Sequence, residues 1–231
     1  MISIAQWNMN GFFNNYHELQ LLIKDNSPSI ICIQETHLKN NLNPHTPKQY
    51  TGIFHNLPYI TSSKQGISIL IKKNINFKII NIISNISVLA IEINIEIKFT
   101  RINLYIPPKQ TFSSSEILDI LSQISTPVIL VGDVNAWSTL RGSEITNDRG
   151  RALEDVILSS NLVILNNGLP THFSTHKTFT NVDISLVSVN LATICEWKIL
   201  KNFFLTDTIV TLANPHLNLK RTAQIGQNSF R

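Results

Sequence analysis

Two pentapeptides, Gln34-Glu35-Thr36-His37-Leu38 and Gly132-Asp133-Val134-Asn135-Ala136, each follow an apolar run that reads as a buried strand. The runs are Ser29-Ile30-Ile31-Cys32-Ile33 and Val128-Ile129-Leu130-Val131. Each sets a carboxylate at the carboxyl end of a strand, where side chains project into the crevice that sheet proteins use for ligands. Asn8 closes a third run, Ile2-Ser3-Ile4-Ala5-Gln6-Trp7. Three oxygen-bearing side chains on three strand ends point to a site for a hard divalent cation, with Mg²⁺ the leading candidate.

These residues must be held by a sheet-rich scaffold. Apolar content and β-branched bias predict strands at 2–8, 29–34, 50–55, 66–71, 77–83, 88–93, 99–105, 128–131, 162–165, 182–187, 195–200 and 208–212. Helical spacing of apolar residues predicts helices at 15–24, 114–124 and 150–159. Pro107-Pro108 stops a strand. Helices fall between groups of strands, so a doubly wound parallel sheet fits poorly. The expected fold class is α/β, two packed mixed β-sheets flanked by helices. Residues 1–213 form one domain in this reading. Residues 214–231 are polar, basic and aperiodic, a flexible extension or the start of a longer polypeptide.

Composition narrows the function classes. Apolar residues make up 43% of the 231, enough for a large core, and charged residues only 15%. The net charge of +4 fits a polyanionic partner, though weakly. No apolar run approaches the ~18 residues of a transmembrane helix, so no membrane partner is expected. Cys32 and Cys195 sit in apolar surroundings and read as reduced thiols of an intracellular protein. No Cys/His cluster has zinc spacing. Asn85-Ile86-Ser87 fits a glycosylation sequon by chance.

Taken together and in order, the motifs carry a resemblance. Gln6-Trp7-Asn8-Met9-Asn10-Gly11, Gln34-Glu35-Thr36-His37-Leu38, Asn103-Leu104-Tyr105-Ile106-Pro107-Pro108 and Gly132-Asp133-Val134-Asn135-Ala136 resemble the endonuclease/exonuclease/phosphatase family, which includes apurinic-site endonucleases and DNase I. Within it the chain is most similar to the endonuclease domain of non-LTR, jockey-like retrotransposons. The markers are Asp148-Arg149-Gly150-Arg151-Ala152-Leu153-Glu154, Leu165-Asn166-Asn167-Gly168-Leu169-Pro170-Thr171-His172-Phe173 and Asp183-Ile184-Ser185-Leu186.

The resemblance implies a DNase I-like four-layer sandwich and a division of labour. Glu35 would be the main ligand of Mg²⁺ or Mn²⁺, with Asn8 beside it and Asp207 as a further carboxylate. The cation would neutralise charge on a scissile phosphate. Asp133 would orient or deprotonate the attacking water, and Asn135 would hold that water or the phosphate. Tyr105 would donate a hydrogen bond to a phosphate oxygen; taken alone it reads equally as a core aromatic with a wet hydroxyl. Asp183 would pair with a histidine. His37 would support the site, and Thr171 and His172 lie where the resemblance places DNA contacts. Arg141 reads as a phosphate contact or as a solvated surface arginine, and Trp137 as a base-stacking group or a groove filler. Lys64, Lys72, Lys73, Arg149, Lys198 and Lys201 are the other cations available to a duplex. His176 and His216 read as solvated.

The last motif departs from the pattern. Family members end with Ser-Asp-His before a final strand, and this chain has Thr206-Asp207-Thr208. Threonine carries neither proton nor positive charge at neutral pH. Loss of a positioned acid/base group typically costs on the order of 10²–10⁴ in rate. The expected function is a metal-dependent DNA endonuclease that nicks double-stranded target DNA to prime reverse transcription, with activity weakened by Thr208. The alternatives are a catalytically dead DNA-binding remnant and a phosphoesterase acting on small phosphate esters. Such a protein would be a monomer working in the nucleus during target cleavage, alongside a reverse transcriptase domain of the parent element.

Overall fold

Strand side chains alternate between two faces, and that period divides the apolar runs of this chain into an inward and an outward set. A computed structural model of the protein describes residues 2–39, 42, 44–56, 65–173, 179–202 and 205–212; at 172–173, 179, 201–202 and 205–209 the description is of the backbone alone. In chain order the elements are β1 (Ile2–Asn8), α1 (Tyr16–Asn26), β2 (Ile30–Gln34), β3 (Tyr50–His55), β4 (Ile67–Lys72), β5 (Phe77–Ile80), β6 (Ser87–Asn94) and β7 (Lys98–Tyr105). There follow α2 (Ser114–Ser122), β8 (Val128–Asp133), α3 (Asp148–Leu158), β9 (Leu162–Ile164), β10 (His172–Phe173), β11 (Phe179–Thr180), β12 (Asp183–Ser188), α4 (Val189–Ala192), β13 (Cys195–Asn202) and β14 (Leu205–Leu212).

The strands form two six-stranded mixed sheets, ordered β13-β14-β1-β2-β4-β3 and β5-β6-β7-β8-β12-β9, and β10 and β11 make a separate hairpin. Each large sheet has one parallel pair, β1 with β2 and β7 with β8. A parallel pair needs a crossover, and α1 and α2 supply the two crossovers. Parallel pairing also sets carboxyl ends side by side. Asn8 thus lies opposite Gln34, and Tyr105 opposite Asp133.

The layers follow from the alternation. Ile4, Ile30, Cys32, Ile69 and Ile71 meet Ile91, Ile93, Phe99, Ile129, Val131 and Val187 between the sheets. On one outer face Leu19 and Leu22 of α1 cover Ala5, Trp7, Ile31 and Ile33. On the other, Ile117 and Ile120 of α2 and Leu153 and Val156 of α3 cover Ile102, Leu104, Leu130 and Leu186. This is the helix–sheet–sheet–helix sandwich expected from the sequence.

The inward positions change character along the strands. In β1 the alternation runs Ile2, Ile4, then Gln6, Asn8; in β2 Ile30, Cys32, then Gln34; in β8 Ile129, Val131, then Asp133. β12 runs antiparallel to β8 and reverses the sequence, Asp183, Ser185, then Val187. The core is therefore apolar at one end of the sandwich and polar at the other, and the polar end is where the parallel pairs bring their carboxyl termini.

Strand ends depart from the sequence reading by two residues or more at β5, β8, β13 and β14. β8 continues through Gly132 to Asp133 because β7 comes so close there that a Cβ on Gly132 would lie 1.9 Å from the Leu104 carbonyl oxygen. β5 stops at Ile80 rather than 83, and Ile83 is exposed. β14 starts at Leu205 rather than 208, since it pairs with β13 back to Asn202. The short β10, β11 and α4 carry too few residues to show a period. Cys32 and Cys195 are free thiols. No described helix is long and apolar enough to cross a membrane. Residues 214–231, with Lys64, His176 and His216, lie outside the described residues.

Gly132→Ala follows as a test of the close β7–β8 approach. Overpacking against backbone that cannot yield costs about 1–3 kcal/mol. The urea midpoint of the variant should drop accordingly with an unchanged denaturant slope.

Candidate active site

Asn8 is one of the residues that join the two sheets at their polar end. Its Nδ2 donates to Glu35 Oε1 at 3.0 Å and to Asp133 Oδ2 at 2.8 Å. Its Oδ1 accepts the Asn10 amide at 3.2 Å. The Tyr105 hydroxyl donates to the same Glu35 Oε1 at 2.8 Å. His37 Nε2 lies 3.6 Å from Glu35 Oε2, close enough for an ion pair when the ring is protonated. Asp133 Oδ1 accepts the Asn135 amide at 3.1 Å, and Asn135 Nδ2 donates to the Ile106 carbonyl at 3.3 Å.

The loops that carry these groups are bent sharply. Glu35, His37 and Asn135 have φ of 50°, 56° and 47°. Such left-handed conformations cost an L-residue roughly 1–2 kcal/mol, and they persist where surrounding structure enforces them. Here the Glu35 loop is pinned from both sides. Gly11 and Phe12 donate to the Glu35 and Thr36 carbonyls at 2.7 and 2.8 Å, and Thr36 and His37 donate to Gly66 and Gln65 at 3.0 and 2.8 Å.

Asp183 opens β12 directly across from Asp133 in the β8–β12 register. Two carboxylates so placed repel, and both are buried. Burial, then the charge of Asp183, push the Asp133 carboxyl up to about 8, although the hydrogen bonds from Asn8 and the Asn135 amide pull the other way. Burial first, and then Glu35, push the Tyr105 phenol well above its ordinary value, so it remains a neutral donor.

The raised Asp133 carboxyl has a consequence for stability. Its folded value lies above its unfolded value of about 4, so the folded state binds the extra proton between those limits. Stability is then fully present below about pH 4 and is lost as pH rises toward about 8. The melting temperature in chelator should fall over that window, and added Mg²⁺ should flatten the fall. Asp133→Asn should remove this part of the slope.

Among the described residues no three His, Cys, Asp or Glu side chains gather as a metal cage. An open site of one or two carboxylates with an amide is nonetheless what Mg²⁺ accepts, because it keeps several waters and adds substrate phosphate oxygens. Glu35 offers such a carboxylate with the Asn8 amide beside it, and Asp133 lies across the Asn8 bridge. The side chain of Asp207 lies outside the described residues. The register places Asp207 opposite Leu200 and Thr208 opposite Gln6.

Two expected contact residues do something else. Arg141 is 1% exposed, neither a surface cation nor a reachable phosphate contact. It donates to the Ala136 carbonyl and, at 3.2 Å, to the Asp183 carbonyl. Burial lowers its guanidinium to about 10. Thr171 is also buried, and its hydroxyl oxygen accepts the Asp183 amide at 3.2 Å. Asn166 Nδ2 donates to the Asp183 carbonyl at 3.3 Å. Arg141, Thr171 and Asn166 therefore fix the main chain of Asp183. His172 begins the β10–β11 hairpin, and only its backbone is described. Trp137 is 40% exposed beside the Asn135 loop.

Arg149 is likewise no free cation. It donates to the carbonyls of Ile106, Pro107, Pro108, Gln110 and Val134, and stacks over Phe112 at 5.5 Å. The clamp ties the segments that follow Tyr105 and Asp133 together. Lys72 bonds Ser27, while Lys73 and Lys198 are exposed. The side chains of Lys64 and Lys201 are outside the described residues.

The sequence reading missed the inward amides Gln6, Gln34 and Asn103, which fill the polar end beneath the site. The signal was there as polar residues at inward positions of apolar strands, but which face is inward depends on the pairing.

A family model described as Endonuclease/Exonuclease/phosphatase matches residues 5–198. The probable RNA-directed DNA polymerase from transposon X-element of Drosophila melanogaster is 29% identical over 177 residues, 74% of this chain and 19% of the relative. The RNA-directed DNA polymerase from mobile element jockey of the same species is 21% identical over 182 residues, 78% of this chain and 20% of the relative. The chain spans about a fifth of the length of the curated relatives it matches. The endonuclease domain of TRAS1, a telomere-specific non-LTR retrotransposon, superposes with a TM-score of 0.75 at 17% identity, over 92% of this chain and 98% of that one. An AP endonuclease from Archaeoglobus fulgidus superposes with a TM-score of 0.71 at 16% identity, over 92% and 99%. At these identities the two structures show a shared fold.

Proposed function

Because the chain belongs to the Endonuclease/Exonuclease/phosphatase family, we propose that it is the DNA-nicking endonuclease domain of a non-LTR retrotransposon. The observation that carries the reading is the Asn8 amide held between Glu35 of the first sheet and Asp133 of the second. That bridge assembles a cation-binding carboxylate and a water-orienting carboxylate across one cleft. The curated relatives are RNA-directed DNA polymerases of mobile elements, which supports a reverse transcriptase domain in the parent element; target cleavage would take place in the nucleus.

Glu35 and Asn8 would hold Mg²⁺ or Mn²⁺, which when bound supplies neutralising charge at the phosphate and the leaving oxygen. Asp133 orients the attacking water and takes its proton, as its raised carboxyl value suits a base near neutral pH. The water oxygen bonds to phosphorus as the bond to the 3′ oxygen breaks, and the departing oxygen takes a proton from solvent, leaving a 3′-hydroxyl and a 5′-phosphate. Asn135 steadies the water or the phosphate. Tyr105, neutral and within reach, donates to a phosphate oxygen as negative charge grows. Thr208 in place of an imidazole makes the reaction slow and favours, as the second reading, a DNA-binding module without turnover.

The product ends test the reading. A nicked duplex recovered after incubation with Mg²⁺ should be extended by a reverse transcriptase without phosphatase treatment. Ends that need a phosphatase first, or hydrolysis confined to small phosphate esters, would refute it.

A further inference from the structure

Gln6, Gln34 and Asn103 form a chain of buried amides that crosses from one sheet to the other and ends on Asp183. Gln6 Nε2 donates to Asp183 Oδ1 at 2.7 Å and to Gln34 Oε1 at 2.9 Å. Gln34 Nε2 donates to Asn103 Oδ1 at 2.6 Å. Asn103 Nδ2 donates to the carbonyls of Ile33 and Ser68 at 3.1 and 2.9 Å. Gln34 and Asn103 have no exposed surface and Gln6 is 2% exposed.

The two ends of a side-chain amide differ, since nitrogen only donates and oxygen only accepts. The far end of this chain rests on main-chain carbonyls, which only accept. Asn103 must therefore turn its nitrogen to Ile33 and Ser68 and its oxygen to Gln34. Gln34 must then turn its nitrogen to Asn103 and its oxygen to Gln6. Gln6 in turn must face Gln34 and Asp183 with its nitrogen. Flipping any one amide would oppose two donors or two acceptors in a site shut off from water, and a buried unsatisfied group costs about 1–3 kcal/mol. The direction of the donor that meets Asp183 is thus set by backbone carbonyls in β2 and β4, on the opposite sheet.

We propose that this oriented amide chain, with Gln6 as the positioning residue, holds the Asp183 carboxylate opposite Asp133 and so aligns the second sheet's half of the site with the first. The assignment rests on the endonuclease reading for its kinetic consequence. A carboxylate rotated from its place misaligns its neighbours, and a misplacement of about 1 Å at a reacting centre costs roughly 100-fold.

The test uses Gln6→Met, which keeps length without a donor, and Gln34→Met, which leaves Gln6 in place but frees its amide to turn. In plasmid nicking with Mg²⁺, both should lose roughly 100-fold in kcat with KM within about twofold. The side-chain amide protons of Gln6, read by NMR in the wild type, should exchange slowly and shift on Asp183→Asn. In Gln34→Met they should exchange fast. Folded Gln34→Met protein with wild-type kcat overturns the proposal, as do Gln6 amide protons insensitive to Asp183→Asn. A wild type that nicks no DNA but shows the protected, Asp183-sensitive amide would overturn the endonuclease reading and leave the oriented contact standing.

Discussion

Asp133→Asn is expected to reduce strand cleavage by at least about 10³-fold and, above neutral pH, to raise the melting temperature of the metal-free protein. The two effects have one cause. Asp133 is buried, faces Asp183 across the β8–β12 register and shares the Asn8 amide with Glu35. Burial and the facing carboxylate make its negative charge costly and give it a base strength suited to accepting a proton from water, while the Asn8 bond pulls the other way. Asparagine keeps the shape and the acceptor for the Asn135 amide, at the loss of the oxygen that accepts from Asn8. It removes the repulsion and the proton-accepting oxygen together. One pKa unit corresponds to about 1.4 kcal/mol, so the gain in stability at pH 8 should be at least about 1 kcal/mol. A variant that loses activity and stability together would mean that Asp133 is a structural carboxylate, satisfied by its two donors.

Thr208→His is expected to raise turnover by roughly 10²-fold or more with little change in affinity for DNA. The register sets residue 208 opposite Gln6, whose Nε2 already donates to Asp183. An imidazole introduced there stands beside the carboxylate that the resemblance assigns to a histidine. It would add a charge at the phosphate that strengthens in the transition state. Single-turnover nicking by both proteins at matched folding checks this. Equal rates, both dependent on Glu35, would mean that the Gln6 amide and Asp183 already supply what the imidazole would add.

Much of this was legible in the residues because the strands are long and β-branched. Twelve strands were placed from apolar runs alone, and the carboxylates of Glu35 and Asp133 were located by where two of those runs stop, whereas Asp183 came from the resemblance. The limits of reading are physical. Gly132 looks like a strand breaker until β7 is seen to come so close that only glycine fits. Arg141 and Arg149 look like surface charge, yet their guanidinium groups are spent on loop carbonyls that no local pattern reveals. Thr171 sits in a motif read as a DNA contact, and it instead accepts the amide of Asp183. The amides of Gln6, Gln34 and Asn103 are far apart in sequence, and only the packing of the two sheets makes them one chain.

The most direct measurement is nicking of supercoiled plasmid by the wild-type chain and by Glu35→Ala, each with Mg²⁺ and with chelator. The site described here predicts slow conversion to relaxed circles by the wild type with Mg²⁺ only, and none by Glu35→Ala. Conversion at equal rates by the two proteins, or by the wild type in chelator, would contradict a cation-dependent nuclease centred on Glu35.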